Sequence, residues 1–482
     1  VTTFYNEVWE DIFLSLPTMP FNPRAKGLPI AEIIKTIFFC LQEEIQDYNT
    51  AIALLDRISH LRKDVNFLNW KAMVEYDAKK FLRSFETSEK LLDYDKSGNM
   101  YFNVGRAAYK ANRLEKSKVY LKKAMELLPG DSGPILDYAV TICSMGDFEG
   151  AFELIKGIDF KSDKRNNAIV EFNKGWHYLR KGDFKKGMEL LHLGREIGVW
   201  GNHAGKHKKP QWDGQSHEGK TVLIIGEAGI GDEIINARFS KNIKDKGMNV
   251  IMSTNHKNES ILSSITSLSK VINGKDVDNE KWDYWVPCMD LPFTLGIDES
   301  DLPTKPYIHS KPKYNTKWKT IIKSDKKLNI GIRWMGNQRY ELELGRTIPL
   351  KYFEPLMDLD VQLWSIQKDD EGKGIRLPSG IIDISEGLQT WDDTLGAMKA
   401  LDLVITSCTS IAHMGGALGV PTWAVVPLLP YYTWANMEKK SNWYETVTVY
   451  RQKEWQNWKH PFIELSKDLE NLVATKNNSH SS

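Results

Sequence analysis

Three stretches of the chain combine residue types that could do chemistry. The first is "IIGEAGIGDEIINARF", where a β-branched run ends at Gly226 and a helical pattern follows. Gly226, Gly229 and Gly231 leave backbone amides open near the predicted helix N-terminus, where an anion or a ligand can come close. Asp232 falls at the start of that helix. It can act as a general base toward an acceptor hydroxyl, or it can cap the helix and complement its dipole. The GxxGxG spacing differs from the GxGxxG of dinucleotide folds, and no GxxxxGKS/T pattern follows, so neither an NAD site nor a P-loop is expected. The second stretch, "GIRWMGNQRYELELGRTIPL", carries Arg333, Asn337, Gln338, Arg339 and Arg346 past the end of a strand. Guanidinium forks suit a diphosphate, although a solvated polar loop would read the same way.

The third stretch is "SCTSIAHMGGALGVPTW". "LDLVIT" before it reads as a buried strand, "SCTS" as a turn, "IAHMGGALG" as a helix and "VPTWAVVP" as the next strand. Thr409 and Ser410 then lie at a helix N-terminus, where hydroxyls and amides bind phosphate. His413 follows Thr409 by one helical turn, on the same face. It is a ligand-binding group or a hydrogen-bonded core histidine. Cys408 would need a base and an oxyanion hole to serve as a nucleophile, and no other residue pattern points to acyl chemistry. The Gly415–Gly416 pair permits close packing of helix on strand.

These stretches need two kinds of scaffold. Before about residue 205, apolar residues recur at helical spacing. Blocks beginning at Gly98, Ser132 and Asn166 are 34 residues apart, the period of tetratricopeptide helix pairs. "GDF" recurs at Gly146–Phe148 and Gly182–Phe184 as the turn within a pair. A degenerate block with Trp70 and Phe81 begins near residue 64, and residues 1–60 read as helical without a period. Stacked repeats serve either as a rigid support or as a concave face for a protein partner. "GNHAGKHKKPQWDGQSHEGK" is an irregular connection, with a small basic cluster at Lys206, Lys208 and Lys209. From Thr221 onward, short β-branched runs alternate with helices, the pattern of a parallel α/β sheet. We therefore expect a helical repeat domain at 1–205 and two Rossmann-like α/β halves at 206–315 and 316–482.

Composition narrows the class. The chain has 482 residues, a hydrophobic share of 41% and a formal net charge of +1, so no global field favours nucleic acid or an anionic membrane. The four cysteines, Cys40, Cys143, Cys288 and Cys408, are scattered and form no metal or disulfide framework. With no signal-peptide pattern and no run long enough to span a bilayer, a cytoplasmic location is expected.

The region from "PQWDG" to "VYRQKEW" resembles the heptosyltransferase-like GT-B glycosyltransferases, particularly those with N-terminal tetratricopeptide repeats. The carriers are "PQWDG", "GEAGIGDEI", "WMGN", "RTIPL", "SIQK", "LDLVITSCTSIAHMGGALGVPTW" and "SNWYETVTVYRQ". The resemblance implies an inverting transfer of sugar from a nucleotide-sugar donor to a hydroxyl, with no metal and no other cofactor. It makes Asp232 the general base and Arg346 a cation near the donor phosphates. It matches Thr409, Ser410 and His413 to the donor-binding turn and helix, and with them Gly229, Gly231, Arg333, Asn337, Gln367, Lys368 and Cys408 are expected at the donor. The family usually has aspartate where this chain has Cys408, which bears on the donor sugar. The acceptor expected is a protein or a glycan. Two other readings stand beside it. "YRQKEWQNWKH" interleaves basic and aromatic residues as a nucleic-acid contact would, which suits transfer to modified bases of viral DNA. Alternatively, the chain is an inactive repeat scaffold or a nucleotide-sugar sensor.

Overall fold

The structure is a computed structural model. It describes residues 33, 37, 39–42, 45–60, 64–158, 164–199, 207–254, 258–322, 327–337, 343–368, 376–436 and 438–480. Two compact units divide it, residues 1–142 and 143–482.

The first unit is built of helices: α1 (Tyr48–Ile58), α2 (Val65–Asp77), α3 (Phe81–Glu89), α4 (Gly98–Lys110), α5 (Leu114–Leu127) and most of α6 (Ser132–Ser144). Two blocks thus start where helices start, at Gly98 and Ser132. Small residues let paired helices approach. Ser117 on α5 donates to the Gly105 carbonyl of α4 at 2.9 Å, and Val104, Ala108, Leu121 and Ala124 are fully buried around that contact. The degenerate block is the α2–α3 pair, with Trp70 and Phe81 both in a core.

The second unit begins with the remaining helices, α7 (Phe148–Ile155), α8 (Lys164–Arg180) and α9 (Phe184–His192). The repeated "GDF" has a local cause. Gly146 and Gly182 take φ of +101° and +81°, a left-handed turn that a Cβ would disfavour. The aspartate after each glycine then caps the next helix. Asp147 accepts from Gly150 N, and Asp183 accepts from Lys186 N.

The compact units divide near residue 142, whereas the composition of the chain changes near residue 205. The composition change there marks where strands begin, not where the core changes. Leu179, Phe184, Met188 and Leu191 of α8–α9 share one apolar core with Val222, Ile224 and Val286 of the first sheet and with Val404, Ala424 and Val426 of the second. Nor is the connection free. Gln211 bridges to Trp285, Trp212 is buried, and Lys209 lies over the Trp282 ring at 4.6 Å. Lys206 lies outside the described residues.

The first sheet holds β1 (Thr221–Ile225), β2 (Asn249–Thr254), β3 (Lys270–Asn273) and β4 (Tyr284–Pro287), ordered β3-β2-β1-β4. The second holds β5 (Leu328–Arg333), β6 (Val361–Ser365), β7 (Ile381–Asp383), β8 (Leu403–Ser407), β9 (Thr422–Val426) and β10 (Val447–Arg451), ordered β10-β9-β8-β5-β6-β7. Every pairing between these strands is parallel. Read from β7, the second sheet is the doubly wound order 3-2-1-4-5-6, and its direction reverses between β5 and β8. In the first sheet the same reversal falls between β1 and β4. Helix α10 (Ile230–Ala237) follows β1, and α11 (Trp391–Ala400) and α12 (Ser410–Leu418) flank β8. The last helix, α13 (Lys459–His480), seals the second sheet's other face with Phe462, Leu465 and Leu469.

That placement takes two of the three aromatic residues out of the nucleic-acid reading and leaves Trp455 partly exposed. Within "YRQKEWQNWKH", Tyr450 and Trp458 belong to the same core as Phe462 and cannot stack on bases. Their alternation with charged residues reflects one face turned inward and one turned to water.

Candidate active site

Helices α10 and α12 each begin at the carboxyl end of a central strand, and they pack on one another. Gly231 makes the approach possible. A Cβ there would lie 3.4 Å from Ser410 Cα and 3.5 Å from His413 Cδ2. Gly231 therefore faces the opposite half rather than open space. Two doubly wound sheets thus turn their carboxyl ends toward a common seam. This is a GT-B fold.

At the seam of the GT-B halves, Asp232 accepts a hydrogen bond on each carboxylate oxygen. Its Oδ2 accepts from Gly229 N at 2.9 Å, closing a cap on the first turn of α10. Its Oδ1 accepts from the Tyr431 hydroxyl of the opposite half at 2.6 Å. The residue keeps part of its surface open. Burial pushes its carboxyl above the ordinary carboxylate range, against the Tyr431 and Gly229 hydrogen bonds and the Arg346 charge. Ala228, just before the cap, has φ of +59°, a strained value for a residue with a Cβ.

The second half supplies cations and amides. Arg346 Nε donates to Glu343 Oε2 at 2.6 Å, and its Nη1 donates to the Cys408 carbonyl at 2.7 Å. Glu343 is 3% exposed and also accepts from Gly336 N. One arginine therefore ties the loop after β5 to the turn after β8, across the switch point of this sheet. Thr409 is the N-cap of α12 without a side-chain cap bond, and Ser410 is the first helical residue. Arg333 ends β5, partly buried, and Asn337 is exposed at the edge of the described loop. Gln338 and Arg339 lie outside the described residues.

Two other sequence candidates, Gln367 and Lys368, make hydrogen bonds within the fold. Gln367 is buried and accepts from Met335 N at 3.2 Å. Lys368 Nζ donates to the Leu388 carbonyl. Cys408 is buried, and burial pushes its thiol up, which disfavours the thiolate a nucleophile needs. The Gly415–Gly416 pair lies against Thr422 of β9 and Tyr444.

His413 is 4% exposed. Its ring stacks on Trp434 with centroids 4.9 Å apart, and Nδ1 lies 3.2 Å from the Tyr444 hydroxyl. Burial, then the charges of Arg238 and Arg346, lower its pKa to about 3. A neutral ring at physiological pH can donate or accept a hydrogen bond but supplies no cation. The linkage sign follows. The neutral form is what the fold accommodates, so its contribution is complete above the unfolded value near 6.5 and is lost as pH falls toward 3. We expect His413→Gln to flatten the loss of thermal stability between pH 6.5 and pH 4. Parallel melting curves for variant and wild type across that range would refute the assignment.

Sequence reasoning missed Tyr431 and Glu343. The aromatic run "PYYTW" was the available signal for Tyr431, and the three-residue spacing from Glu343 to Arg346 was the signal for the ion pair. Among the described residues, no group of three or more His, Cys, Asp or Glu side chains is arranged to hold a metal ion. No described helix is long and apolar enough to cross a membrane.

No family model matches the chain. It is similar to Protein FlbA of Caulobacter vibrioides, at 20% identity over 418 residues covering 78% of this chain and 67% of that one. Among solved structures, it is similar to a family 9 glycosyl transferase from Veillonella parvula, with a TM-score of 0.43 and 12% identity over 55% of this chain and 100% of that one. It is also similar to an O-GlcNAc transferase from Thermobaculum terrenum, with a TM-score of 0.39 and 12% identity over 93% of this chain and 92% of that one.

Proposed function

We propose that the chain is a glycosyltransferase that moves a sugar from a nucleotide-sugar donor to an acceptor hydroxyl, with inversion and with no metal in the step. The observation that carries this reading is the convergence at one seam of a carboxylate from the first half with a helix N-terminus and an arginine from the second. Asp232 takes the acceptor proton as the acceptor oxygen bonds to the anomeric carbon. The bond from that carbon to the diphosphate breaks on the opposite face, and the diphosphate leaves with the electron pair. Its growing charge is met by Arg346 and by the amides at the start of α12. A single displacement from the opposite face inverts the anomeric centre. The acceptor is a protein or a glycan hydroxyl. Cys408 offers no carboxylate to the sugar, which argues for a donor other than the heptose of the resembling family.

A thermal-shift panel of nucleotide sugars on the full chain tests the donor half of this reading. Binding at about a hundred times Kd stabilises the folded state by roughly 2.7 kcal/mol. We expect one donor class, and its free nucleoside diphosphate more weakly, to raise Tm. A flat panel across uridine, guanosine, adenosine and cytidine sugars at millimolar concentration would count against any donor site.

A further inference from the structure

The crevice outside a switch point is where an open α/β sheet offers its ligand site. In the first sheet that place is filled by an arginine from the helical hairpin. Arg195 lies in the turn Leu193–Ile197 that follows α9. Its Nη1 donates to Glu227 Oε2 at 2.6 Å, Nη2 donates to Glu227 Oε1, and Nε donates to Asp290 Oδ1 at 3.0 Å. Both carboxylates are buried, Glu227 at 6% and Asp290 at 2% exposure. Glu227 Oε1 also accepts from Met289 N at 3.1 Å. His192 Nδ1 lies 3.3 Å from Asp290 Oδ1.

Glu227 opens the turn that presents Asp232. The strained Ala228 follows it, and then Gly229, whose amide holds Asp232 Oδ2. A left-handed alanine persists only where its surroundings over-determine it, and the guanidinium on its neighbour is such a restraint. The hairpin also reaches Asp232 by a second route. Trp176 of α8 packs against Tyr431, with centroids 6.1 Å apart, and Tyr431 donates to Asp232.

We propose that Arg195 is a positioning residue for Asp232. Its forked hold on Glu227 fixes the strained turn, and this makes the hairpin α8–α9 a working part of the active site rather than a detachable module. A lysine keeps the charge but cannot span two carboxylates with one planar group. The kinetic consequence rests on the glycosyltransferase reading; the structural consequence does not.

The test uses full-length Arg195→Lys, Arg195→Met and the double variant Arg195→Met/Glu227→Gln. Hydrogen exchange reads the turn, and release of nucleoside diphosphate from the donor that stabilises the wild type reads the reaction. In Arg195→Lys we expect amides of residues 226–233 to exchange about tenfold faster or more, while those of β8 keep their protection. We expect kcat to fall by on the order of tenfold or more as the carboxylate loses its aim, with KM for the donor changed less than about twofold. Arg195→Met adds uncompensated charge at Glu227 and Asp290. The titratable groups facing Asp232 include Tyr431, Arg346, Tyr432 and the Cys288 thiol, and none of them offsets that charge anew. The acid limb of kcat should therefore move to higher pH. The added Glu227→Gln change should return the limb in part, since Asp290 keeps its charge, but not the rate. Wild-type exchange at 226–233 in folded Arg195→Lys and Arg195→Met overturns the proposal. Faster exchange there, with no sugar nucleotide turned over even by the wild type, upholds the positioning role and overturns the transferase reading instead.

Discussion

Asp232→Asn should abolish transfer without weakening the fold. Loss of a general base costs typically about 10²–10⁴-fold in rate. The amide oxygen of asparagine can still accept from Gly229 N or from the Tyr431 hydroxyl, so the start of α10 stays capped. The sign of the stability effect follows from burial. The folded pKa of Asp232 lies above its ordinary value near 3.8, so folding favours the protonated carboxyl. That contribution is complete below 3.8 and is lost as pH rises through the folded value. Above the folded pKa the wild type carries a desolvated charge that asparagine does not. We expect Asp232→Asn to melt at or above the wild-type temperature at pH 8, and to lose that advantage at pH 4. Donor-induced stabilisation should survive. Wild-type turnover in Asp232→Asn would remove the general-base assignment. A lower melting temperature at pH 8 would show instead that the charged carboxylate stabilises the seam. Asp232→Ala, which removes the cap as well, should cost about 0.5–2 kcal/mol in comparison.

Arg346→Met should damage both the fold and the donor site, for separable reasons. Glu343 is buried and its ion pair is with Arg346 Nε, so removing the arginine leaves a carboxylate in the interior. Breaking one side of a buried pair costs roughly 3–5 kcal/mol. The partly exposed arginine side chain and the two amide and hydroxyl donors on Glu343 soften that loss, so the lower end is expected. Glu343→Gln/Arg346→Met removes both charges and should recover most of the stability. It should not recover donor binding, because the guanidinium beside the Cys408 turn is still missing. Chemical denaturation and donor-induced thermal shift, measured on the same three proteins, separate the two effects. If the double variant stays as unstable as the single one, the ion pair is not the cause. If Arg346→Met keeps the donor shift, the arginine is a brace between β5 and β8 and not a phosphate ligand.

The sequence by itself determined the local devices. The "GDF" turns are legible because a left-handed glycine followed by a capping aspartate is a short-range requirement. The strand–turn–helix units at Gly226–Asp232 and at Thr406–His413 are legible for the same reason, and their order along the chain predicts two doubly wound sheets. Only the tertiary structure decided which groups meet. Asp232 and Tyr431 are 199 residues apart, and Arg195 and Asp290 are 95 apart. No periodicity or spacing encodes such pairs, because each hydrogen bond depends on where two separate elements are set by packing. Burial decided the rest. It turned Tyr450 and Trp458 into core, lowered the His413 pKa, and joined the last helical hairpin to the α/β core across a boundary that composition had placed at residue 205.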